Sequence, residues 1–583
     1  MNTLRLFNAV VSKNTNSSIF ISEDGIIIDK NAMWAKDNIL AFIKSERLDG
    51  NDLNKTFHKS WDKVKNSTRF ELYQEQILHY LSTYGSDFND EVYIPSEVLD
   101  IPELKLSYKV IKAYTISEMT DKCLSLLKSG VAMKGETIDM VLATLVDELG
   151  YKFTGSEGIR NKEAVIKIAD MYHVLPSDTM EFFRYIIFKA TADSLLIKSD
   201  VAIEAIKNSS FNPSALFESH GLDKLSQIFN RFKPLFLAFK NKCPKTINKI
   251  SKLSKVNHKP LVTNPLNLVT SIKLTEKDNH WLDNATPFAL FKAIQTCYVR
   301  KNGQTSFVHR IRNGKSWTRQ AQKESSSVSK HNYKYLKSYL KGRYDMSESK
   351  VYLPSGVDYA LPTSEKMYVG NVPTGTKIFG DKLAVGVYWE NAWGANDIDL
   401  SGINIGGKIG WNSDYSQRDR LIYSGDMTNA PKGAVEYLYA SKGLSDPTLV
   451  MTNIFYGSSD CGYKIIVGKG DKMNRDYMMN PNNLKLDLKT NSVQHQTVLG
   501  MFIPEEQGQS FVILNFGSGK ARVSGNSELS NISTKALYQQ WRQPYTFNKL
   551  LKLLGAEIVD TPEEADIDLS LDKLEKDSFT RLF

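Results

Sequence analysis

Asp397 and Asp399 flank one isoleucine in Asn396-Asp-Ile-Asp-Leu-Ser401. Side chains alternate along an extended strand, so both carboxylates, and the Ser401 hydroxyl after them, point to one face. Like charges that close raise each other's energy unless a cation or a hydrogen-bond donor lies between them. Asp426 follows in Leu421-Ile-Tyr-Ser-Gly-Asp426-Met-Thr-Asn429, and Glu436 in Gly433-Ala-Val-Glu436. A hard cation such as calcium takes several oxygen ligands from carboxylates, carbonyls and hydroxyls. The expected metal set is therefore Asp397, Asp399, Ser401, Asp426 and Glu436. The competing reading is that the aspartates cap turns or accept from backbone amides.

A second chemistry lies in the basic stretches. No Asp or Glu occurs between Leu225 and Thr275, a window rich in lysine. Within it Ile247, Ile250 and Leu253 are spaced to fill one helix face, and Lys245, Lys249, Lys252 and Lys255 fall on the opposite face, with Lys259 just beyond. Such a row repels itself and calls for counter-charge. A solvated surface, a nucleic-acid backbone and an acidic protein surface each meet that need, and the sequence leaves all three open. Phosphates would bind with release of counterions. Residues 300–343 form a second basic region with a single acid, Glu324. There Arg310, Arg312, Lys315 and Arg319 surround Trp317, with Tyr333, Tyr335 and Tyr339 downstream. Aromatic rings among cations suit single-stranded nucleic acid, and the same rings at this spacing also suit a packed core.

Catalytic patterns are absent. Gly517-Ser-Gly-Lys520 ends like a phosphate loop but lacks the earlier glycine and the following Ser or Thr, and a strand is expected next. The histidines are scattered singly, without an HExxH spacing, and no GxSxG or Cys–His signature occurs. The expectation is a protein that binds rather than catalyses.

The elements that must position these residues follow from pattern. The chain has 583 residues, too many for a single core. Residues 1–55 read as a hairpin around Asp24-Gly25 and a helix. Residues 56–295 read as helical, with the run Ile138, Val141, Leu142, Leu145, Val146, Leu149 as its clearest period. Residues 296–365 read as a basic connector, with Ser325–Ser329 a loop. Residues 366–530 carry short runs rich in β-branched and aromatic residues, punctuated by Gly, Asn, Asp and Pro, which indicate a β-sandwich. Residues 531–583 read as a helix and an acidic tail containing Glu563, Glu564, Asp566, Asp568 and Asp572. Asp-Ile-Asp-Leu-Ser recurs there at Asp566–Ser570, by chance, as a mimic of the sandwich strand, or as a docking strand. The expected fold class is α+β multidomain: an N-terminal all-α, HEAT-like array, then the C-terminal sandwich. No fixed repeat period is present. Four distant cysteines without a CxxC pair argue against a disulfide framework, and no charge-free stretch near membrane-spanning length occurs. With no secretory signal at Met1–Lys13, a cytoplasmic protein without a membrane partner is expected.

Val385-Gly-Val387, then Asp397-Ile-Asp399-Leu-Ser401, then Ser424-Gly425-Asp426, in that order, resembles the TerD family over roughly residues 368–503. The resemblance implies a calcium-binding β-sandwich in a stress-response or phage-related setting. Where the family carries a denser run of Asp and Gly, this chain has Met427-Thr-Asn-Ala-Pro-Lys-Gly433. The helical half is similar, through Met180–Phe188, Thr246–Lys255 and His258-Lys259-Pro260, to the Ro-type (TROVE) RNA-binding proteins. That similarity implies RNA, or another polyanion, carried on HEAT-like helices. Opposite charges on the tail and the basic stretches also allow a homo-oligomer, which makes a self-assembling protein of a phage or large bacterial particle the alternative.

Overall fold

The computed structural model describes residues 2–22, 25–57, 64, 66–84, 109–304, 306–310, 316–320, 326–418, 420–470, 479–517 and 527–583. The chain is α+β and divides into two compact units. Among the described residues, no helix is long and apolar enough to cross a membrane.

The first unit is Tyr114–Asn267 with two short terminal pieces. It is built from helices whose ends are marked in the sequence. Thr115 and Glu118 form a reciprocal capping box at the start of Ile116–Lys128. Asp178 accepts from the backbone of Met180 and Glu181 to start Thr179–Thr191. The run expected at 138–149 is the helix Gly135–Ala143, which widens into a π turn at Thr144–Glu148. The core gathers Phe182, Phe183, Phe217, Phe229, Phe236, Ile247 and Ile250. Phe183 and Phe236 stack with centroids 4.0 Å apart.

The second unit is Phe7–Ala113, Leu268–Phe579 and Phe583. Residues 56–113 and 268–295, which the apolar pattern groups with the helices, fall here. Phe20–Ile21 and Ile26–Ile28 pair as the expected hairpin, with Gly25 at φ +73°; Asp24 lies outside the described residues. Two larger sheets dominate. One runs, neighbour by neighbour, Gly407–Gly410, Ala395–Asn404, Thr448–Gly457, Gln496–Pro504, Gln509–Gly517, Lys377–Gly380, Val357–Asp358. The other runs Ser416–Gln417, Leu421–Tyr423, Ala434–Ala440, Leu383–Trp389, Gly462–Lys469, Leu484–Asn491. They lie against each other: the Tyr463 hydroxyl donates to Asn515 Oδ1 at 2.7 Å, and Gln509 Nε2 to Ala440 O at 2.7 Å. Leu383–Trp389 is buried along its whole length, which explains its unbroken apolar character.

Two expectations change. Ser326–Ser329 is the start of the helix Ser326–Arg343, not a loop. Leu336 and Leu340 are buried, and Asn332 spans to the backbone of Val269, Ile272 and Leu274, so packing overrides the weak helix preference of serine. The strand expected after Gly517-Ser-Gly-Lys520 falls at residues 518–526, which lie outside the described residues; the next described element is the helix Ser527–Trp541. The acidic C-terminal segment is structural. Glu557–Val559 and Ile567–Asp568 pair in parallel with the two edges of Lys350–Tyr352, so the second Asp-Ile-Asp-Leu-Ser copy is a docking strand within its own chain. Leu569, Leu574 and Phe579 are buried, and Phe579 packs edge-on against Tyr359, Tyr368 and Phe547. Phe579→Ala is expected to destabilise this unit by about 3–5 kcal/mol, read as a lower denaturant midpoint.

Candidate metal centre

The strand Ala395–Asn404 pairs with Thr448–Gly457 along its length, but Gly407–Gly410 covers its other edge only at Ser401–Asn404. Upstream of Ser401 that edge is open, and Glu436 of the facing sheet fills it: Leu400 N–H donates to Glu436 Oε2 at 2.7 Å. Thr448–Gly457 carries an extra residue at Phe455, opposite the Asp397–Ile398 step. Bulges of this kind re-aim side chains. Asp397 and Asp399 keep their alternation and are 1% and 2% exposed.

Asp426 comes from the loop after Leu421–Tyr423. Gly425 adopts φ +97°, a conformation that favours glycine and turns the chain there. Ser424 clamps the loop onto Ala434–Ala440, its N–H donating to Tyr437 O at 3.0 Å and its hydroxyl accepting from Tyr437 N at 2.8 Å. Asp426 is thereby fully buried, and one carboxylate oxygen from each of Asp397, Asp399 and Asp426 lies within 4.8 Å of the others. Among the described residues this is the one group of three or more His, Cys, Asp or Glu side chains close enough to hold an ion.

The electrostatics are severe. At an effective dielectric constant of about 20, two unit charges at this spacing repel by roughly 3–4 kcal/mol. Burial, then Asp397 and Asp426, hold the Asp399 carboxyl well above its usual range. Asn453 Nδ2, 3.3 Å from Asp399 Oδ2, offsets part of that. Lys408 is a nearby cation, but burial pulls its own ammonium down. Calcium–oxygen bonds of about 2.4 Å put oxygens on opposite sides of an ion about 4.8 Å apart, so this donor set is hard, anionic and of fitting size.

The five residues expected to bind metal do not all have one role. Asp397, Asp399 and Asp426 converge. Ser401 is buried two residues further along the strand. Glu436 spends both oxygens elsewhere: Oε1 accepts from Met427 N at 2.8 Å, and Oε2 from Leu400 N and from the Tyr423 hydroxyl, each at 2.7 Å. It joins the Asp426 loop to the Asp397–Asp399 strand, so it positions ligands. Burial, then Asp426 and Asp399, raise its pKa against the pull of those donors. Gln76 gave no signal in the sequence, yet its Nε2 donates to Asp426 Oδ2 at 2.6 Å across 350 residues of chain.

The candidate nucleic-acid residues divide as well. Lys245, Lys249, Lys252 and Lys255 are exposed along the helix Pro244–Asn257, over buried Ile247 and Ile250, and Lys259 is exposed beyond its end. Arg310, Trp317 and Arg319 sit on the hairpin Ser306–Arg310 and Ser316–Gln320, whose side chains lie outside the described set; Arg312 and Lys315 lie outside the described residues. The downstream tyrosines are packing groups: Tyr335 donates to Asn279 at 2.6 Å, Tyr339 to Asp283 at 2.5 Å, and Tyr333 lies against Tyr298 and Tyr545.

No protein-family model matches the chain, and no curated protein matches it. Glu436→Ala strands three buried donors and is expected to cost about 3 kcal/mol or more, against about 1 kcal/mol for Tyr423→Phe, both measured by denaturant unfolding.

Proposed function

We propose that the second unit contains a TerD-like sandwich that binds calcium, in a non-enzymatic binding protein of a stress-response or phage-related setting. The convergence of three buried carboxylates carries this reading. Asp397, Asp399 and Asp426 hold the ion, which supplies the positive charge that their crowding demands. Ser401 and Glu436 complete and brace the patch. The order of the strand, the Gly-Asp turn and the bracing glutamate along the chain supports the family resemblance.

Calcium is expected to raise the melting temperature, by an amount that corresponds to about 2.7 kcal/mol when its concentration is 100-fold above Kd. Asp399→Asn is expected to weaken binding at least about tenfold in calorimetric titration. Unaltered binding in that variant would move the site elsewhere. The stabilisation depends on pH with a definite sign. A carboxyl held above its ordinary value of 3.8 contributes stability below that value, and loses it as pH rises through the raised pKa. The calcium-free protein therefore loses stability on that rise, and calcium restores it. The calcium-induced shift in melting temperature should be small near pH 4 and grow toward neutrality; a pH-independent shift would contradict the site.

The helical unit carries a polyanion, RNA foremost, on the lysine face of Pro244–Asn257. The exposed row Lys245, Lys249, Lys252 and Lys255 supports this. Lys245→Glu, Lys249→Glu and Lys252→Glu together are expected to weaken RNA retention in gel shifts. They should also flatten the dependence of log affinity on log salt by about two to three units, close to one for each phosphate that a lysine no longer neutralises.

A further inference from the structure

The helix Arg69–Tyr84 meets the sandwich through Leu72, Gln76 and His79, one turn apart on a single face. Gln76 is 5% exposed. Its amide is engaged at both ends: Nε2 donates to Asp426 Oδ2 at 2.6 Å, with Trp411 O at 3.4 Å, and Oε1 accepts from the Tyr415 hydroxyl at 2.6 Å. One turn on, His79 Nε2 is 3.1 Å from Thr428 Oγ1, two residues after Asp426. A cavity of about 120 Å³, lined by Leu72, Tyr73, Gln76 and the segment Ser413–Ser416, opens onto this amide.

A neutral amide is an unusual choice for a buried contact to a crowded carboxylate, where a lysine or arginine would neutralise the charge directly. Its chemistry offers something that a cation cannot. A primary amide presents two donors on one side and an acceptor on the other, and a tyrosine hydroxyl both donates and accepts. Half a turn about the last side-chain bond exchanges the two ends: Nε2 then faces the Tyr415 hydroxyl, which accepts from it, and Oε1 faces Asp426, an arrangement of oxygens that only a cation between them satisfies. With no ion present, Asp426 needs a donor, and the NH2 group supplies it. With an ion bound, Asp426 gives its lone pair to the metal. The turned amide then presents Oε1, a neutral oxygen of the kind that calcium takes from Asn and Gln. The Tyr415 hydroxyl accepts from Nε2 in turn. Glutamate would add a fourth negative charge, and asparagine is one methylene too short.

We infer that Gln76 is a ligand of the cation, delivered by the helix Arg69–Tyr84, and that its amide turns over when the ion enters. This rests on the calcium reading of Asp397, Asp399 and Asp426. The ion then bridges a helix near the start of the chain to strands far along it, so its arrival tightens the seating of that helix.

The test uses the full chain, titrated with Ca2+ and with Tb3+, and hydrogen exchange over residues 69–84. The wild type is expected to bind both ions, with exchange in the helix slowed several-fold by Ca2+. Gln76→Ala should bind about tenfold more weakly, and its helix should exchange at the same rate with and without Ca2+. Gln76→Glu, close in shape, should bind more tightly at neutral pH while the ion-free protein melts lower. Unchanged affinity in Gln76→Ala, with the helix still responding to Ca2+, would overturn the role of Gln76 and leave the aspartate site standing. Failure of the wild type to bind either ion at millimolar concentration, matched by Asp397→Asn, would instead remove the aspartate site itself, and Gln76 with it.

Discussion

Three carboxylates buried beside one another set the terms for the strand-rich unit. Their burial and mutual repulsion are a cost, expressed in the raised pKa of Asp399. The surroundings are organised around that cost. Glu436 takes up the Leu400 amide at an open strand edge and the Met427 amide in the loop that carries Asp426. Gly425 lets the chain turn tightly enough for Asp426 to face the strand that holds Asp397 and Asp399. Asn453 and Gln76 bring amide dipoles to the same carboxylates.

The helical unit follows a different logic. Its interior is a cluster of phenylalanines and isoleucines, and its charge is pushed outward onto one helix as a row of lysines. There the repulsion is shared with solvent and salt, so it costs little and remains available to a partner. The two units thus treat like charge in opposite ways: one buries it in a cluster of carboxylates, the other displays it along an exposed helix face.

Much of this was readable in the sequence, for physical reasons that can be named. Strand alternation alone puts Asp397 and Asp399 on one side, and a glycine before an aspartate marks the turn at Asp426. The helix spacing of Ile247 and Ile250 places the lysines outward. Glu436 was legible as a member of the patch, but not as its brace, because its partners are backbone amides that any residue would provide. Gln76 was illegible: its contact with Asp426 joins distant parts of the chain, and nothing in its neighbourhood marks it. The serine run before Val328 reads locally as a linker, and only Asn332, Leu336 and Leu340, packed against distant chain, make it a helix. The tyrosines after Trp317 fit a stacking surface by composition, yet the hydroxyls of Tyr335 and Tyr339 are committed to Asn279 and Asp283, and Tyr333 packs against Tyr298 and Tyr545.

The parallel pairing of Glu557–Val559 and Ile567–Asp568 about Lys350–Tyr352 bears on how the molecule is made. Synthesis runs from one end, and domains close as their parts emerge from the ribosome. The helical core, from Phe182 to Ile250, is complete before the first sandwich strand exists. The central strand Lys350–Tyr352 must wait, both edges bare, until some two hundred later residues have been added. Nascent chains that stall in that interval expose a ready template for unwanted strand addition, and the arrival of the two later strands is what seals it.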